Sequence, residues 1–210
     1  MALRIAVLYG SVRSDRQGIK AARFVEAQAR RRGHDVRLID ALEHRMPLLD
    51  KMYKEYGKGE APDWLEALAP ILIAADAYVV VTGEYNHNVP PALSNLLDHF
   101  LEEYFWKPSA IVCYSAGSFG GVRAAVVLRE MLCELGMSPI PSVLPVPRVQ
   151  QAFDASGQPT DAAWLARADK FLAELEWYGD ALKAARIQDG KDRCPGRSFC
   201  EAIEAARLPG

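Results

Sequence analysis

Short apolar runs alternate with longer amphipathic stretches along the chain. The apolar runs predict five strands, at residues 3–9, 36–39, 77–81, 109–114 and 140–146. The stretches between them have helical apolar spacing, and the predicted helices cover residues 17–32, 122–135 and 161–187 and begin near residues 62 and 90. A continuous run such as AYVVV at 77–81 is typical of a strand buried on both faces of a parallel sheet. The alternation predicts an α/β fold with one open, mostly parallel sheet and helices on both faces.

Glycine, proline and loop length mark the limits of several elements. Gly33 follows a run of three arginines and predicts the end of the first helix. Pro70 is predicted to interrupt the second helix. Residues 40–60 are predicted to form a long irregular loop, and loops of this length tend to be functional or mobile. The predicted domain covers residues 1–187, and residues 188–210 form a tail of uncertain order.

The composition is that of one globular domain. The chain has 210 residues, of which 50% are hydrophobic and 25% are charged, which is enough for a sizeable core. The formal net charge of −2 gives no reason to expect nucleic acid or an anionic membrane surface as a partner. No apolar run approaches the roughly 18 residues that a membrane span needs. The start, MALRIAVLYGS, lacks the pattern of a signal peptide, so we expect a cytoplasmic protein.

The four cysteines have no metal-ligand spacing, so no metal site is predicted. Cys113 and Cys133 lie in apolar patterns and are predicted to be buried thiols. Cys194 and Cys200 lie in the predicted tail, where they are either two unpaired thiols or a redox-sensitive pair.

Candidate chemistry lies in the loops that follow the strands, because open α/β sheets bind ligands at the carboxyl ends of their strands. The first loop, GSVRSDRQG at 10–18, lacks the G-x-G-x-x-G fingerprint of dinucleotide-binding proteins. Its polar and turn-forming residues are Gly10, Ser11, Arg13, Ser14 and Arg16. Free backbone amides, a helix N-terminus and two arginines together predict a site for a dianionic phosphate. The alternative is a solvated loop in which a serine caps the helix.

The second loop, TGEYNHNVPP at 82–91, places polar residues directly after the predicted central strand. A planar heterocycle needs donors and acceptors along one edge and an aromatic or backbone wall against its face. The residues that can supply these, largely through their backbone amides, are Glu84, Tyr85, Asn86 and His87. For the imidazole of His87 the sequence favours an exposed loop residue over a ligand contact. Asn95 and Asp98 are also consistent with capping or bracing of the helix that follows.

The third loop, SAGSFGG at 115–121, contains three glycines that allow the backbone to approach a ligand closely. Ser115 and Ser118 add hydroxyl groups, and Phe119 adds an aromatic face. The alternative is a strand-to-helix turn with a glycine at the helix N-terminus. Because the three loops follow the first, third and fourth strands, they together predict one ligand site.

The sequence resembles the NAD(P)H-dependent FMN reductase family of flavodoxin-like proteins over roughly residues 3–180. The resemblance rests on GSVRSDRQG, on TGEYNHNVPPALSNLLD, on YSAGSFGG and, more loosely, on MPLLD after the second strand. Family members typically have T-P-E-Y-N followed by Pro-Gly and L-K-N-x-x-D. This chain has Gly83 in place of the proline, Pro91 in place of the glycine and Ser94 in place of the lysine. The first change is expected to loosen the loop, and the third removes a positive charge.

The resemblance implies a flavodoxin-like three-layer sandwich whose five-stranded parallel sheet has the order 2-1-3-4-5. It implies FMN as cofactor and NAD(P)H as co-substrate. The implied phosphate ligands are Ser11, Arg13, Arg16, Gln17 and Gly18. The implied neighbours of the isoalloxazine ring are Glu84, Tyr85, Asn86 and His87 on one side and Ser115, Gly117 and Gly120 on the other. No residue is expected to act as a catalytic acid or base, because the chemistry is centred on the flavin.

The resemblance also implies a homodimer or homotetramer with the flavin near a subunit interface. The 46–60 segment, with Met52, Tyr53 and Tyr56, either covers a neighbouring subunit's site or packs locally.

The implied activity is hydride transfer from a nicotinamide to flavin N5 and then, by a ping-pong mechanism, to a small acceptor. That acceptor could be a quinone, free flavin, an azo compound or a metal oxyanion, and the donor could be NADH or NADPH. Two other functions stay open: a one-electron carrier like flavodoxin, and a non-enzymatic flavin redox sensor. Flavodoxin-type carriers tend to be strongly acidic, whereas this chain is nearly neutral.

Overall fold

The structure is a computed structural model, and it describes residues 1–44 and 46–190. The strands are β1 (Arg4–Tyr9), β2 (Asp35–Asp40), β3 (Ala77–Gly83), β4 (Pro108–Tyr114) and β5 (Ser138–Val146). The helices are α1 (Ile19–Arg31), α2 (Ala41–His44), α3 (Asp63–Ala74), α4 (Pro91–Asp98), α5 (Val122–Glu134), α6 (Val149–Ala152) and α7 (Ala163–Gln188). Short 3-10 turns cover Tyr53–Glu55 and Glu102–Tyr104.

The five strands form one parallel sheet in the order β2-β1-β3-β4-β5, which confirms the predicted flavodoxin-like fold. β1 has β2 on one side and β3 on the other, so the direction of winding reverses between them. A crevice therefore opens beyond the carboxyl ends of β1 and β3, where ligands bind in folds of this kind. All three candidate loops begin at the carboxyl ends of the strands, next to this crevice.

Alternate strand residues pack on opposite faces of the sheet. On one face, Val7, Val79 and Val112 pack with α1 and α7. On the other face, Leu8 and Val80 pack with α3, α4 and α5. All seven residues of β3 are buried, as expected for a central strand covered on both sides.

The predicted interruption of the second helix at Pro70 is wrong, because α3 runs without a break from Asp63 to Ala74. Pro70 lies on the exposed side of the helix, where a missing N–H and a displaced carbonyl remain in contact with water. The buried stripe that includes Leu65, Leu68 and Leu72 continues past the proline and holds the helix against the sheet.

The 40–60 segment is more ordered than predicted, since it contains α2 and a 3-10 turn. Asp40 stabilises the start of α2, because its carboxylate accepts the backbone N–H of Leu42 at 3.0 Å. Tyr53 packs its ring 6.0 Å from that of Phe100 and donates its hydroxyl to Glu66 at 3.2 Å. The structure thus favours local packing for this aromatic residue.

Asp76 connects several elements at the amino ends of the strands, on the side of the sheet away from the candidate loops. The buried carboxylate accepts the backbone N–H of Arg4 at 2.8 Å and the ammonium of Lys183 at 3.0 Å. Burial alone would raise the pKa of Asp76, but these hydrogen bonds outweigh it and hold the pKa below its ordinary value. The contacts tie α7 to β1 and β3.

The described cysteines differ in burial. Cys113 is buried in β4 as predicted, whereas Cys133 is exposed near the end of α5, so the prediction of a buried thiol is wrong there. The last turns of α5 bury Leu128 and Leu132 and leave Cys133 on the solvent side. Cys194 and Cys200, like most of the predicted tail, lie outside the described residues. Among the described helices, none combines the length and the apolarity needed to cross a membrane.

Candidate functional site

The first loop approaches α4 so closely that only glycine fits at its start. A Cβ on Gly10 would lie 2.1 Å from the Cβ of Leu93. The loop then carries a row of unpaired backbone N–H groups: the amides of residues 12–18 donate no hydrogen bond within the described part of the chain. These amides lie at the N-terminus of α1, where the helix dipole adds positive potential. Such an arrangement is suited to an anion.

The two arginines of this loop have different environments. Arg13 is exposed and borders an open cavity. Arg16 is largely buried, and its guanidinium donates to the carboxylate of Asp40 and to the carbonyl of Ser11. Because Asp40 offsets the charge of Arg16, the free cation of the loop is Arg13, and Arg16 holds the loop against the end of β2.

Gly18 is the N-cap residue of α1 and has helical backbone angles, and Gln17 immediately before it is half-buried. A Cβ on Gly18 would lie only 2.0 Å from Cζ of Tyr114. A Cβ on Gly83 would lie 3.0 Å from the same atom. The ring of Tyr114 therefore fills the space between the first loop and the end of β3. Gly83, expected to loosen its loop, instead leaves room for this ring.

The floor of the first loop is a cluster of hydroxyl groups. The Ser11 hydroxyl lies 3.5 Å from that of Tyr85, which links the first and second loops. The phenol oxygen of Tyr9 is fully buried and has no hydrogen-bond partner of normal geometry among the described residues. Burial raises the pKa of both Tyr9 and Tyr114, so both phenols stay protonated at neutral pH. The phenol of Tyr9 lies within reach of the hydroxyl groups of Tyr114 and Ser11, so these three residues form one buried polar cluster beneath the first loop.

The second loop is a tight hairpin turn. Tyr85 and Asn88 exchange both backbone hydrogen bonds, at 3.0 and 2.9 Å. Asn86 and His87 between them have φ values of 53° and 64°, as a type I′ turn requires. Neither central amide donates a hydrogen bond within the described residues. The turn thus contains two backbone N–H groups that are unpaired within the described residues.

Two side chains of the second loop contact Arg123. This arginine is not among the residues that the sequence predicts for the site. Glu84 lies 3.1 Å from Nε of Arg123 and accepts its backbone N–H at 3.3 Å. The Nη1 group of Arg123 lies 2.6 Å from Nε2 of His87. These contacts join the second loop to the first turn of α5. No local motif signals them, because the partners are separated by more than thirty positions and meet only in the folded chain.

In the third loop, the hydroxyl group of Ser115 forms hydrogen bonds within the loop itself. The Ser115 hydroxyl accepts the N–H of Gly120 at 2.9 Å and donates to the carbonyl of Gly117 at 3.1 Å. Gly120 packs against the end of β5, whereas Gly117 has open space beside its Cα. The amides of residues 116–119 donate no hydrogen bond within the described residues. Backbone amides around Gly117 are thus the groups of this loop that can meet a ligand.

A cavity of about 650 Å³ opens beside the first two loops. Its walls include Val12, Arg13, Leu42, Leu48, Tyr85 and Asn95, and most of them are apolar. Asn95 holds the outer wall, because its side chain donates to the carbonyl of Pro47 at 2.7 Å and accepts the N–H of Leu49 at 3.0 Å. The bracing role considered for Asn95 is thus directed at the 46–49 segment.

Fold and site together define a flavodoxin-type α/β protein in which three loops with unpaired backbone amides meet at the switch point. The family model described as NADPH-dependent FMN reductase matches residues 3–151. The chain belongs to this family. It is therefore an oxidoreductase that uses FMN and a nicotinamide nucleotide. The unpaired amides of the first loop and the cavity beside it fit such a cofactor.

Similar proteins agree with this assignment. The NAD(P)H-dependent FMN reductase ntnL of a Nectria species is 28% identical over 201 residues, covering 86% of this chain and 97% of the relative. An NAD(P)H-dependent FMN reductase of Schizosaccharomyces pombe is 31% identical over 154 residues, covering 69% of this chain and 74% of the relative. The structure of FerB, a flavoenzyme NAD(P)H:(acceptor) oxidoreductase from Paracoccus denitrificans, has a similar fold. Its TM-score is 0.65 at 23% identity, with 84% of this chain and 99% of that chain covered.

Proposed function

We propose that the three loops bind one FMN molecule, with the phosphate at the first loop and the isoalloxazine ring between the second and third. The observation that carries the proposal is the row of amides at residues 12–18, which have no acceptor within the described chain. Arg13 adds the free cation, and Ser11 adds a hydroxyl next to Tyr85. Each charge-assisted hydrogen bond to the phosphate contributes about 1.5–3 kcal/mol.

The remaining candidate residues have supporting roles in this proposal. Gln17 and Gly18 contribute backbone amides at the start of α1, and Arg16 positions the loop through Asp40 and the Ser11 carbonyl. Asn86 and His87 offer their amides to the polar edge of the ring. Glu84 positions the turn through Arg123, and Ser115 and Gly120 shape the third loop around Gly117.

When bound, FMN supplies the hydride chemistry, and the protein supplies binding, orientation and electrostatics. The amides of the second and third loops are preorganised donors, which favour negative charge on the polar edge of the ring. No acid or base of the chain is needed for the hydride step.

We further propose a ping-pong reaction in which the nicotinamide donor leaves before a small acceptor enters. The cavity beside Tyr85 and Arg13 supports this, because its volume suits a small planar molecule. Its apolar walls favour an organic acceptor, such as a quinone, free flavin or azo compound, over a metal oxyanion.

The homodimer or homotetramer implied by the resemblance and the cytoplasmic location expected from the sequence both stay predictions. Phe119, Val122 and Val126 are exposed on and beside α5 and supply apolar surface that an oligomer could cover.

An anaerobic titration tests the function. The purified protein, supplemented with FMN if it is colourless, is titrated with NADPH and with NADH while the flavin band near about 450 nm is recorded, a property of the cofactor. The proposal predicts bleaching by at least one nucleotide and rapid return of colour on adding a quinone. Bound FMN that neither nucleotide reduces would favour an electron carrier or a sensor. Failure to bind FMN would overturn the proposed site.

A further inference from the structure

Arg16 lies in the loop assigned to the flavin phosphate, but its guanidinium already has partners. Its Nη1 group donates to the carboxylate of Asp40 and, at 3.4 Å, to the carbonyl of Ser11. Its Cζ atom lies 5.6 Å from the centre of the Tyr9 ring, within the range of a cation–π contact. Contacts on three sides therefore fix the guanidinium at the end of β2.

Asp40, the last residue of β2, needs this arginine as its counter-ion. Asp40 is only 3% exposed, and its Oδ1 atom accepts both Nη1 of Arg16 and the backbone N–H of Leu42. Within the described part of the chain, Arg16 is the one cation that forms an ion pair with it. A buried carboxylate without a cation is costly, so the pair does not open readily to offer Arg16 to a ligand.

The first loop and Asp40 together carry no net charge. Arg13 and Arg16 supply two positive charges, and Asp15 and Asp40 supply two negative ones. Arg13 and Asp15 are exposed, whereas the ion pair of Arg16 and Asp40 is largely buried. A dianionic phosphate at this loop therefore meets one guanidinium without a counter-ion among the described residues, although the sequence contains two.

We propose that Asp40 sets the selectivity of the site for FMN over unphosphorylated flavin, because it withholds the charge of Arg16 from the phosphate. The inference rests on the proposed function, since it takes the first loop as the phosphate site. Riboflavin ends in a hydroxyl group and is insensitive to this charge. Asp40 therefore lowers the affinity for FMN alone and brings the affinities of the two flavins closer together.

The variant Asp40→Asn tests the charge with little change of shape. Both contacts of the carboxylate are made by Oδ1, so the amide oxygen of asparagine can accept the same two donors while the negative charge is removed. Fluorescence-quenching titration of the flavin-free variant at low ionic strength should give about ten-fold tighter binding of FMN and unchanged binding of riboflavin. Added salt should reduce the gain, because it screens the interaction.

Asp35→Asn is the matched control. It makes the same change of charge at the other end of β2, where the side chain is 59% exposed. Its affinities for FMN and riboflavin should equal those of the unmodified protein. A gain in FMN affinity that appears only in Asp40→Asn thus depends on the position of the charge and not on the net charge of the protein.

Urea denaturation gives an independent readout. Asp40→Asn leaves the largely buried guanidinium of Arg16 without its counter-ion, so the flavin-free variant should unfold at a lower urea concentration than the unmodified protein. FMN should raise the midpoint of the variant more than that of the unmodified protein, and riboflavin should not. The double variant Arg16→Gln/Asp40→Asn leaves neither charge of the pair uncompensated, so it should fold and bind FMN about as tightly as the unmodified protein.

Unchanged or weaker FMN binding by Asp40→Asn would overturn the inference and leave Asp40 as a brace of the loop. A gain that riboflavin shares would also overturn it. If Asp40→Asn does not fold, the double variant decides, because a folded double variant that has lost its FMN affinity would show that Arg16 contacts the phosphate. The proposed function fails separately, by an absence of FMN binding in the unmodified chain. Inorganic phosphate then replaces FMN in the urea experiment, and equal stabilisation of the unmodified protein and Asp40→Asn would overturn the inference.

Discussion

Tyr114 lies directly against Gly18, and its ring occupies the space that any side chain at Gly18 would need. A Cβ there would be 2.0 Å from Cζ and 2.4 Å from the hydroxyl oxygen of the ring. The contact joins the end of β4 to the first turn of α1. The first loop, at residues 10–18, is therefore packed directly against the aromatic ring of Tyr114.

Gly18→Ala should destabilise the fold through this contact alone. Gly18 has φ −64° and ψ −18°, which alanine adopts without strain, so the cost comes from overpacking and should be about 1–3 kcal/mol. Urea denaturation measures it. In a double-mutant cycle with Tyr114→Ala, the two changes should couple by about 1 kcal/mol or more, because the second removes the clash. Strict additivity would contradict the proposed contact.

Asp76→Asn should lower stability in a pH-dependent way. The folded pKa of Asp76 lies below its ordinary value, so its stabilising contribution is present above the unfolded pKa and is lost as pH falls through the folded pKa. At pH 7 the substitution should cost about 2 kcal/mol, the size of a charge-assisted contact. Denaturation at pH 7 and near pH 3 should show this difference shrinking in acid. Asp35→Asn is the control, since that carboxylate is 59% exposed. An equal loss at both pH values would show that the charge of Asp76 is unimportant.

Asn95→Ala should release the 46–49 segment from α4. Both hydrogen bonds of the side chain would be lost, and each contributes about 1 kcal/mol. Limited proteolysis should then cut faster near Leu48, which is already 85% exposed. Ser94→Ala, the neighbouring change on the same helix, should leave the cleavage rate unaltered. Equal rates in the two variants would mean that Asn95 does not hold the cavity wall.

The two described cysteines should differ sharply in reactivity. Burial raises the pKa of Cys113 to about 12, so its thiolate is scarce at neutral pH and its sulfur is inaccessible. In a chain carrying Cys194→Ser and Cys200→Ser, a disulfide reagent should label one thiol, Cys133, in the native protein. The second should react only after unfolding. Rapid labelling of both without denaturant would contradict the packing of β4.

Much of the fold follows from apolar periodicity. The buried runs such as 77–81 and the helical spacing between them predict a parallel α/β sheet, because only that arrangement buries continuous apolar strands on both faces. The predicted interruption at Pro70 is wrong because α3 is apolar at nearly every position, so its pattern does not indicate which side meets water. The position of Cys133 was misjudged for the same reason.

The candidate loops could be located from the sequence, but the partners of their side chains could not. Arg13 and Arg16 are equivalent in the sequence, and only the folded chain pairs Arg16 with Asp40 at the end of a neighbouring strand. Arg123 and Tyr114 were missed for a similar reason: their contacts join loops that are distant along the chain.

The most direct test of the central claim compares FMN with riboflavin, which lacks the phosphate. Flavin-free protein is titrated with each ligand by fluorescence quenching, in the unmodified chain, in Arg13→Ala and in the control Arg37→Ala, whose side chain is 67% exposed on β2. The account predicts that Arg13→Ala weakens FMN binding about ten-fold or more, leaves riboflavin binding unchanged and does not unfold the chain. Unchanged FMN affinity in Arg13→Ala would contradict the assignment of the first loop as the phosphate site.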